Sequence, residues 1–172
     1  MKRKEVHYTY QLAKTLDTLT SGGLLLAATK SSGESNAMTI GWGSVGIIWG
    51  KKVFVVLVRP SRYTYEFIEE AGDFTVNVPT REIRRWVAFC GSRSGREVDK
   101  FKEYNMAVSP GQRVNSITID ACPLVYECKV VHKNDVVPAN LAPDIISGSY
   151  PLGDFHRIYF GEIVGTFAKE EE

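Results

Sequence analysis

Residues 90–101 read CGSRSGREVDKF, and the rest of the chain is best understood outward from this stretch. It joins a turn rich in Gly91, Ser92, Ser94 and Gly95 to the cations Arg93, Arg96 and Lys100. Glycines let the backbone turn tightly and approach a ligand closely. Hydroxyls donate hydrogen bonds and cations offset negative charge. That combination suits an anionic, ring-bearing cofactor, with Cys90, Gly91, Ser94 and Lys100 as its candidate contacts. The competing reading is a polar surface loop with Asp99 and Lys100 exposed.

On the N-terminal side, residues 36–42 read NAMTIGW and residues 59–64 read RPSRYT. Asn36, Ala37, Met38 and Thr39 open a strand, where an amide, two residues with little side-chain polarity and a hydroxyl can present N–H groups to a flat polar ring. The bland alternative is a turn asparagine starting a strand. Arg59, Ser61, Arg62 and Thr64 precede or begin a helix, whose free N–H groups and positive potential favour phosphate. Ordinary capping by Ser61 beside solvated arginines would give the same pattern. Towards the C-terminus, residues 153–163 read GDFHRIYFGEI and place His156 just before a strand.

The intervening pattern predicts a hairpin from residues 24–29 and 37–45 with a short polar connection. Residues 53–58 are β-branched enough for a fully buried strand. Ser61 is expected to cap a helix over residues 63–71 that turns Phe67 and Ile68 inward, with Gly72 at its end. After a strand at 74–78, Thr80 is expected to cap a second helix whose Ile83, Val87 and Cys90 share a face. A helical turn at 99–104 and strands at 124–131 and 157–166 follow. Between the last two, Pro138, Pro143 and Pro151 mark a long loop of the kind that carries function, an oligomer contact or disorder. The expectation is a single domain over residues 1–172, β-rich α+β, with strands closing into a small barrel and a few short helices outside it.

Composition narrows the classes. A formal net charge of +1 argues against nucleic acid as a partner, and residues 1–4 read as a frayed basic end. The strongest apolar run is far shorter than the ~20 residues of a membrane helix. With no secretory leader pattern after Met1, the expected location is the cytoplasm. Cys90, Cys122 and Cys128 show no metal spacing, and His7, His132 and His156 are scattered, so reduced, buried thiols and no metal are expected. Trp42, Trp49 and Trp86 read as core or subunit-interface residues.

Taken together, these segments resemble the flavin reductase-like family from about residue 20 to residue 167. Cys90, Gly91, Ser94, Gly95, Arg96, Asp99, Lys100 and Phe101 match its C-G-x-x-S-G-R-x-x-D-K-F motif. Gly153, Asp154, His156, Phe160, Gly161 and Glu162 match its G-D-H-T-I-F-I-G-E-V motif, with Phe155 inserted before the histidine. The starts at Asn36 and Arg59 are similar to its N-x-M-T and R-x-S-x-x-T segments.

The resemblance implies an FMN-binding split β-barrel and a homodimer. It implies phosphate contacts from Arg59, Ser61, Arg62 and Thr64, with Lys100 or Ser94 nearby, and a flavin ring along residues 36–39 and the Cys90–Gly91 turn. It also implies NAD(P)H:flavin reductase activity, in which reduced nicotinamide passes hydride to the flavin and electrons go on to a small-molecule or protein acceptor. His156 would position the donor. The Phe155 insertion and the loop at 136–151 depart from the shorter reductases, which keeps open a flavoredoxin-like FMN electron carrier without its own nicotinamide site. A fold that has lost its flavin is the third possibility.

Overall fold

The computed structural model describes residues 3–170. Its elements run β1 (Arg3–Glu5), α1 (Leu12–Ser21), β2 (Leu24–Thr29), β3 (Ser35–Ile40), β4 (Gly43–Ile48), β5 (Lys51–Val58) and α2 (Tyr63–Ala71). Then come β6 (Asp73–Val78), α3 (Arg84–Ser92), α4 (Lys100–Glu103), β7 (Val108–Pro110), β8 (Ile117–Ile119), β9 (Leu124–Asp135), α5 (Pro143–Ser149) and β10 (Arg157–Lys169). The main sheet follows the order β3-β2-β6-β9-β10-β5-β4, with β1 paired to β10. All its pairings are antiparallel.

The expected strand over 37–45 is two strands. β3 ends at Ile40 and β4 begins at Gly43, and the two lie at opposite ends of the sheet path. The alternation of apolar residues runs unbroken through the junction, so periodicity alone does not reveal it. Gly41 and Trp42 carry the chain from one end of the path to the other. The path thus curls into an open barrel, β3 lying close to β5 without pairing to it.

β2 is buried on both faces, which explains its uninterrupted apolar run. Leu24, Leu26 and Ala28 join the main core with Phe54, Val56, Phe74, Tyr126 and Tyr159. Leu25 and Ala27 join a second core with Ile83, Val87 and Cys90, under α3. Phe67 and Ile68 of α2 are buried as expected, and Gly72 ends that helix with a φ of 67°, a conformation that favours glycine. Ser61 does not cap it: the cap residue is Arg62, and the Ser61 hydroxyl instead donates to Asp154 Oδ2 at 2.6 Å. Thr80 likewise makes no side-chain cap.

The N-terminal basic segment is not frayed where it is described. Arg3 donates to the carbonyls of Ile119 at 2.7 Å and Cys122 at 2.9 Å, while β1 adds a strand beside β10. The three cysteines are free and buried. Burial pushes the Cys122 thiol up to about 12 and raises the Cys128 thiol well above its ordinary value, which keeps both inert. The long loop contains α5, begun by Pro143 in the first turn where a missing N–H does no harm. Among the described residues, no helix is long and apolar enough to cross a membrane.

Candidate functional site

β3, the first turn of α2, the end of α3 and α4 converge on one cavity of about 90 Å³. Asn36 is buried and donates through Nδ2 to Thr64 Oγ1 at 2.9 Å, fixing the start of β3 to the start of α2. Lys100 is also buried. Its ammonium donates to the carbonyls of Ala37 at 2.8 Å and Cys90 at 3.0 Å. The turn at 93–96 packs so tightly on β3 that a Cβ at Gly95 would collide with the Asn36 amide. Arg96 ties the same turn to α2, donating to the Ser61 carbonyl at 3.1 Å and pairing with Glu66. Asp99 caps α4 through the N–H groups of Phe101 and Lys102.

The exposed-loop reading of 90–101 therefore fails at Lys100. Burial pulls its pKa down, with the Arg62 charge adding to the effect. Arg62 and Arg93 line the cavity and make no side-chain hydrogen bond or ion pair among the described residues. Ser61, Ser94 and Gly91 complete the lining. Free N–H groups of the first turn of α2, two uncommitted guanidiniums, an ammonium and hydroxyls form a donor set suited to a phosphate-sized anion.

A second cavity of about 200 Å³ adjoins the first and shares Met38, Thr39 and Arg62 with it. Ile40, Gly41, Trp42, Leu57, Arg59 and His156 complete its wall. Apolar faces from Met38, Ile40, Leu57 and Trp42 beside polar groups on Thr39, Arg62 and His156 suit a flat ring with a polar edge. Trp42 lies here, 44% exposed and with its ring centroid 5.0 Å from that of His156. It is a site residue that the sequence pattern assigned to core or interface. Trp49 is also exposed, packing edge-on to His132 and against Phe160 at the far end of β4.

Arg59, expected at the phosphate, lines the ring cavity and donates to the carbonyls of Ser149 at 2.8 Å and Asp154 at 2.9 Å. Its guanidinium grips the loop after α5. The Cys90 thiol is buried and raised in pKa by that burial, so the residue offers the cavity backbone and not a reactive sulfur. Ala37 contributes its carbonyl to Lys100 from a buried position.

His156 is 9% exposed, and burial together with the Arg59 and Arg62 charges lowers its pKa from 6.5 to about 4. The imidazole is neutral at physiological pH and serves as a hydrogen-bonding group rather than a cation. The unfolded chain takes up this proton near 6.5, whereas the folded one resists until about 4. Stability is therefore expected to fall as pH drops through that window, by on the order of 2–3 kcal/mol. Urea titrations should show His156→Gln losing this part of the pH dependence relative to the wild type. Parallel profiles for the two proteins would count against it.

Comparison with known proteins bears on the family and the fold. The sequence model of the flavin reductase like domain matches residues 16–172. An uncharacterized protein of Archaeoglobus fulgidus is 32% identical over 98 residues, which is 57% of this chain and 55% of that protein. The match thus spans little more than half of that relative's length. The uncharacterized protein YddH of Escherichia coli is 27% identical over 165 residues, 95% of this chain and 76% of its own. Among solved structures, flavoredoxin from Methanosarcina acetivorans superposes with a TM-score of 0.67 at 28% identity, covering 86% of this chain and 69% of that one. An FMN-binding domain of a flavin reductase-like enzyme from Shewanella baltica gives 0.68 at 21% identity, covering 97% and 77%. The open barrel described above is the split barrel of these proteins.

Proposed function

The chain belongs to the flavin reductase-like family, and from that premise we propose that it binds FMN non-covalently and works as a flavin-dependent oxidoreductase with NAD(P)H as donor. One observation carries the reading: an anion cavity at the start of α2 opens, through Met38, Thr39 and Arg62, into a cavity for a flat amphipathic ring. Arg62, Ser61, Ser94, Thr64 and the α2 N–H groups would hold the phosphate, with Lys100 supplying charge from behind. Asn36 to Thr39 and the Cys90–Gly91 turn would flank the ring. Bound there, FMN supplies the hydride and electron chemistry, and the protein supplies position and charge. His156 offers a neutral hydrogen bond to the donor. A homodimer belongs to the same reading, supported by the exposed Ile47 and Trp49 at the β4 end of the sheet.

The freshly purified protein is expected to show bound-flavin absorption, or to retain added FMN through desalting, and to scatter light as a dimer. Stopped-flow mixing with NADH or NADPH should then bleach the flavin. Absence of any retained flavin would sink the proposal. One feature favours a second reading, an FMN electron carrier with no nicotinamide site. Arg59 ties down the stretch just before His156 through the carbonyls of Ser149, Gly153 and Asp154, and a segment held there would limit the approach of a second ring. Reduction by dithionite or a partner protein, but by neither nicotinamide, would establish that alternative.

A further inference from the structure

Tyr150 directly follows α5 and is 5% exposed, with its hydroxyl 2.8 Å from His156 Nδ1. The Arg59 guanidinium stands 5.0 Å from the Tyr150 ring centroid while it holds the carbonyl of the preceding Ser149. Phe155 stacks against the same ring with centroids 4.6 Å apart. The phenol is thus fixed from three sides.

Two proton placements fit that distance: Nδ1–H donating to the phenol oxygen, or the phenol O–H donating to a bare Nδ1. The surroundings decide between them. Among the described residues, the Tyr150 hydroxyl has no other acceptor for its hydrogen. Burial raises the phenol pKa, so the proton stays on the oxygen. A buried O–H without an acceptor is strongly disfavoured. Tyr150 therefore donates, Nδ1 accepts, and the single imidazole proton sits on Nε2. Among the described residues that nitrogen has no protein partner and is not one of the sealed polar atoms, and the ring lines the cavity of Met38, Thr39, Trp42, Leu57 and Arg62.

We propose that Tyr150, clamped by Arg59, is a positioning residue that locks His156 in its Nε2–H form, so that the cavity presents a neutral, directional N–H donor selecting a reactant with a carbonyl or carboxamide oxygen. The inference rests on the reading of this cavity as the place where a reactant meets the flavin. It explains how a site already carrying Arg59 and Arg62 gains direction without a third cation.

Protein labelled with 15N-histidine, as purified, reports the tautomer in two-bond 1H–15N correlation spectra. In the wild type, His156 should show the Nε2–H pattern across the neutral pH range, and Tyr150→Phe should give a mixture of both neutral forms. The same variant should raise the KM for the reduced nicotinamide roughly two- to five-fold with kcat little changed, because only the Nε2–H fraction still offers the hydrogen bond. A proton on Nδ1 in the wild type overturns the proposal, as does a tautomer or a KM unmoved by Tyr150→Phe. Should Tyr150→Phe fail to fold, the wild-type spectrum still decides the proton's place. Because that spectrum needs neither flavin nor donor, a protein that never retains FMN would fail the proposed function and leave the tautomer tested separately.

Discussion

Lys100→Met is expected to weaken FMN binding by roughly 10-fold, through loss of the positive charge that stands behind a confined anion site. The effect should be joined by a stability loss of about 2 kcal/mol. Lys100 Nζ is the donor recorded on the Cys90 carbonyl near the C-terminal end of α3, and it also bonds the Ala37 carbonyl of β3. Methionine fills similar space but leaves a helix-end carbonyl without a partner in a buried place. Lysine also complements the negative end of that helix, which methionine does not. Equilibrium titration with FMN and urea unfolding measure the two effects separately. Unchanged affinity with lowered stability would make Lys100 a strut only, and Arg62 the main cation of the site.

Asp73→Ala should be the more damaging change to the fold, costing about 3–5 kcal/mol. The carboxylate is buried and accepts from Asn115 N at 3.0 Å, Ser116 N at 3.1 Å and the Ser116 hydroxyl. Glu127 does the same for the N–H groups of Gln112 at 2.9 Å and Arg113 at 2.6 Å. Two acidic side chains from neighbouring strands β6 and β9 thus supply the acceptors for the non-strand segment between β7 and β8. Removing Asp73 takes the carboxylate acceptor from the buried Ser116 N–H and the part-buried Asn115 N–H, each worth about 1–3 kcal/mol when unsatisfied, and leaves the Ser116 hydroxyl only the residue-73 carbonyl, 3.3 Å away. Chemical denaturation gives the loss directly. FMN affinity per folded molecule should be unchanged, because neither carboxylate lines the two site cavities. A loss below about 1 kcal/mol would mean that water readily replaces the carboxylate.

How much of this was legible in the sequence depended on whether the signal was local. The β-branched run of β5, the glycine after α2 and the shared face of Ile83, Val87 and Cys90 are set by near neighbours, and all were readable. The junction at Gly41–Trp42 was not, because apolar alternation continues across it while the strands part to opposite ends of the sheet. β1 was missed because a three-residue polar strand has no periodicity and exists only through its pairing with β10. The two polar roles that changed, Arg59 and Lys100, depended on distant partners. Arg59 meets carbonyls of the loop after α5, and Lys100 reaches back to β3 from α4. α5 carried a local mark, Pro143 followed by Asp144 and two isoleucines, but the prolines around it read as loop. The grouping of Asn36, Arg62, Thr64 and Ser94 around one cavity follows the order of motifs along the chain, whereas Trp42 and Tyr150 join the site through tertiary packing alone.

The Gly41–Trp42 crossing has a mechanical consequence. At the barrel's slit β3 comes close to β5 with no ladder of hydrogen bonds between them among the described residues, and the short Gly41–Trp42 link, which leads from β3 into β4 beside β5, bridges the gap. The ring cavity lies on that slit: Met38, Thr39 and Ile40 belong to one lip, Leu57 and Arg59 to the other. A ligand seated there stitches the lips together, acting as the rung that the backbone lacks. Occupancy would then stiffen the whole barrel as well as its mouth, and loss of the ligand would loosen strands far from any atom that touched it.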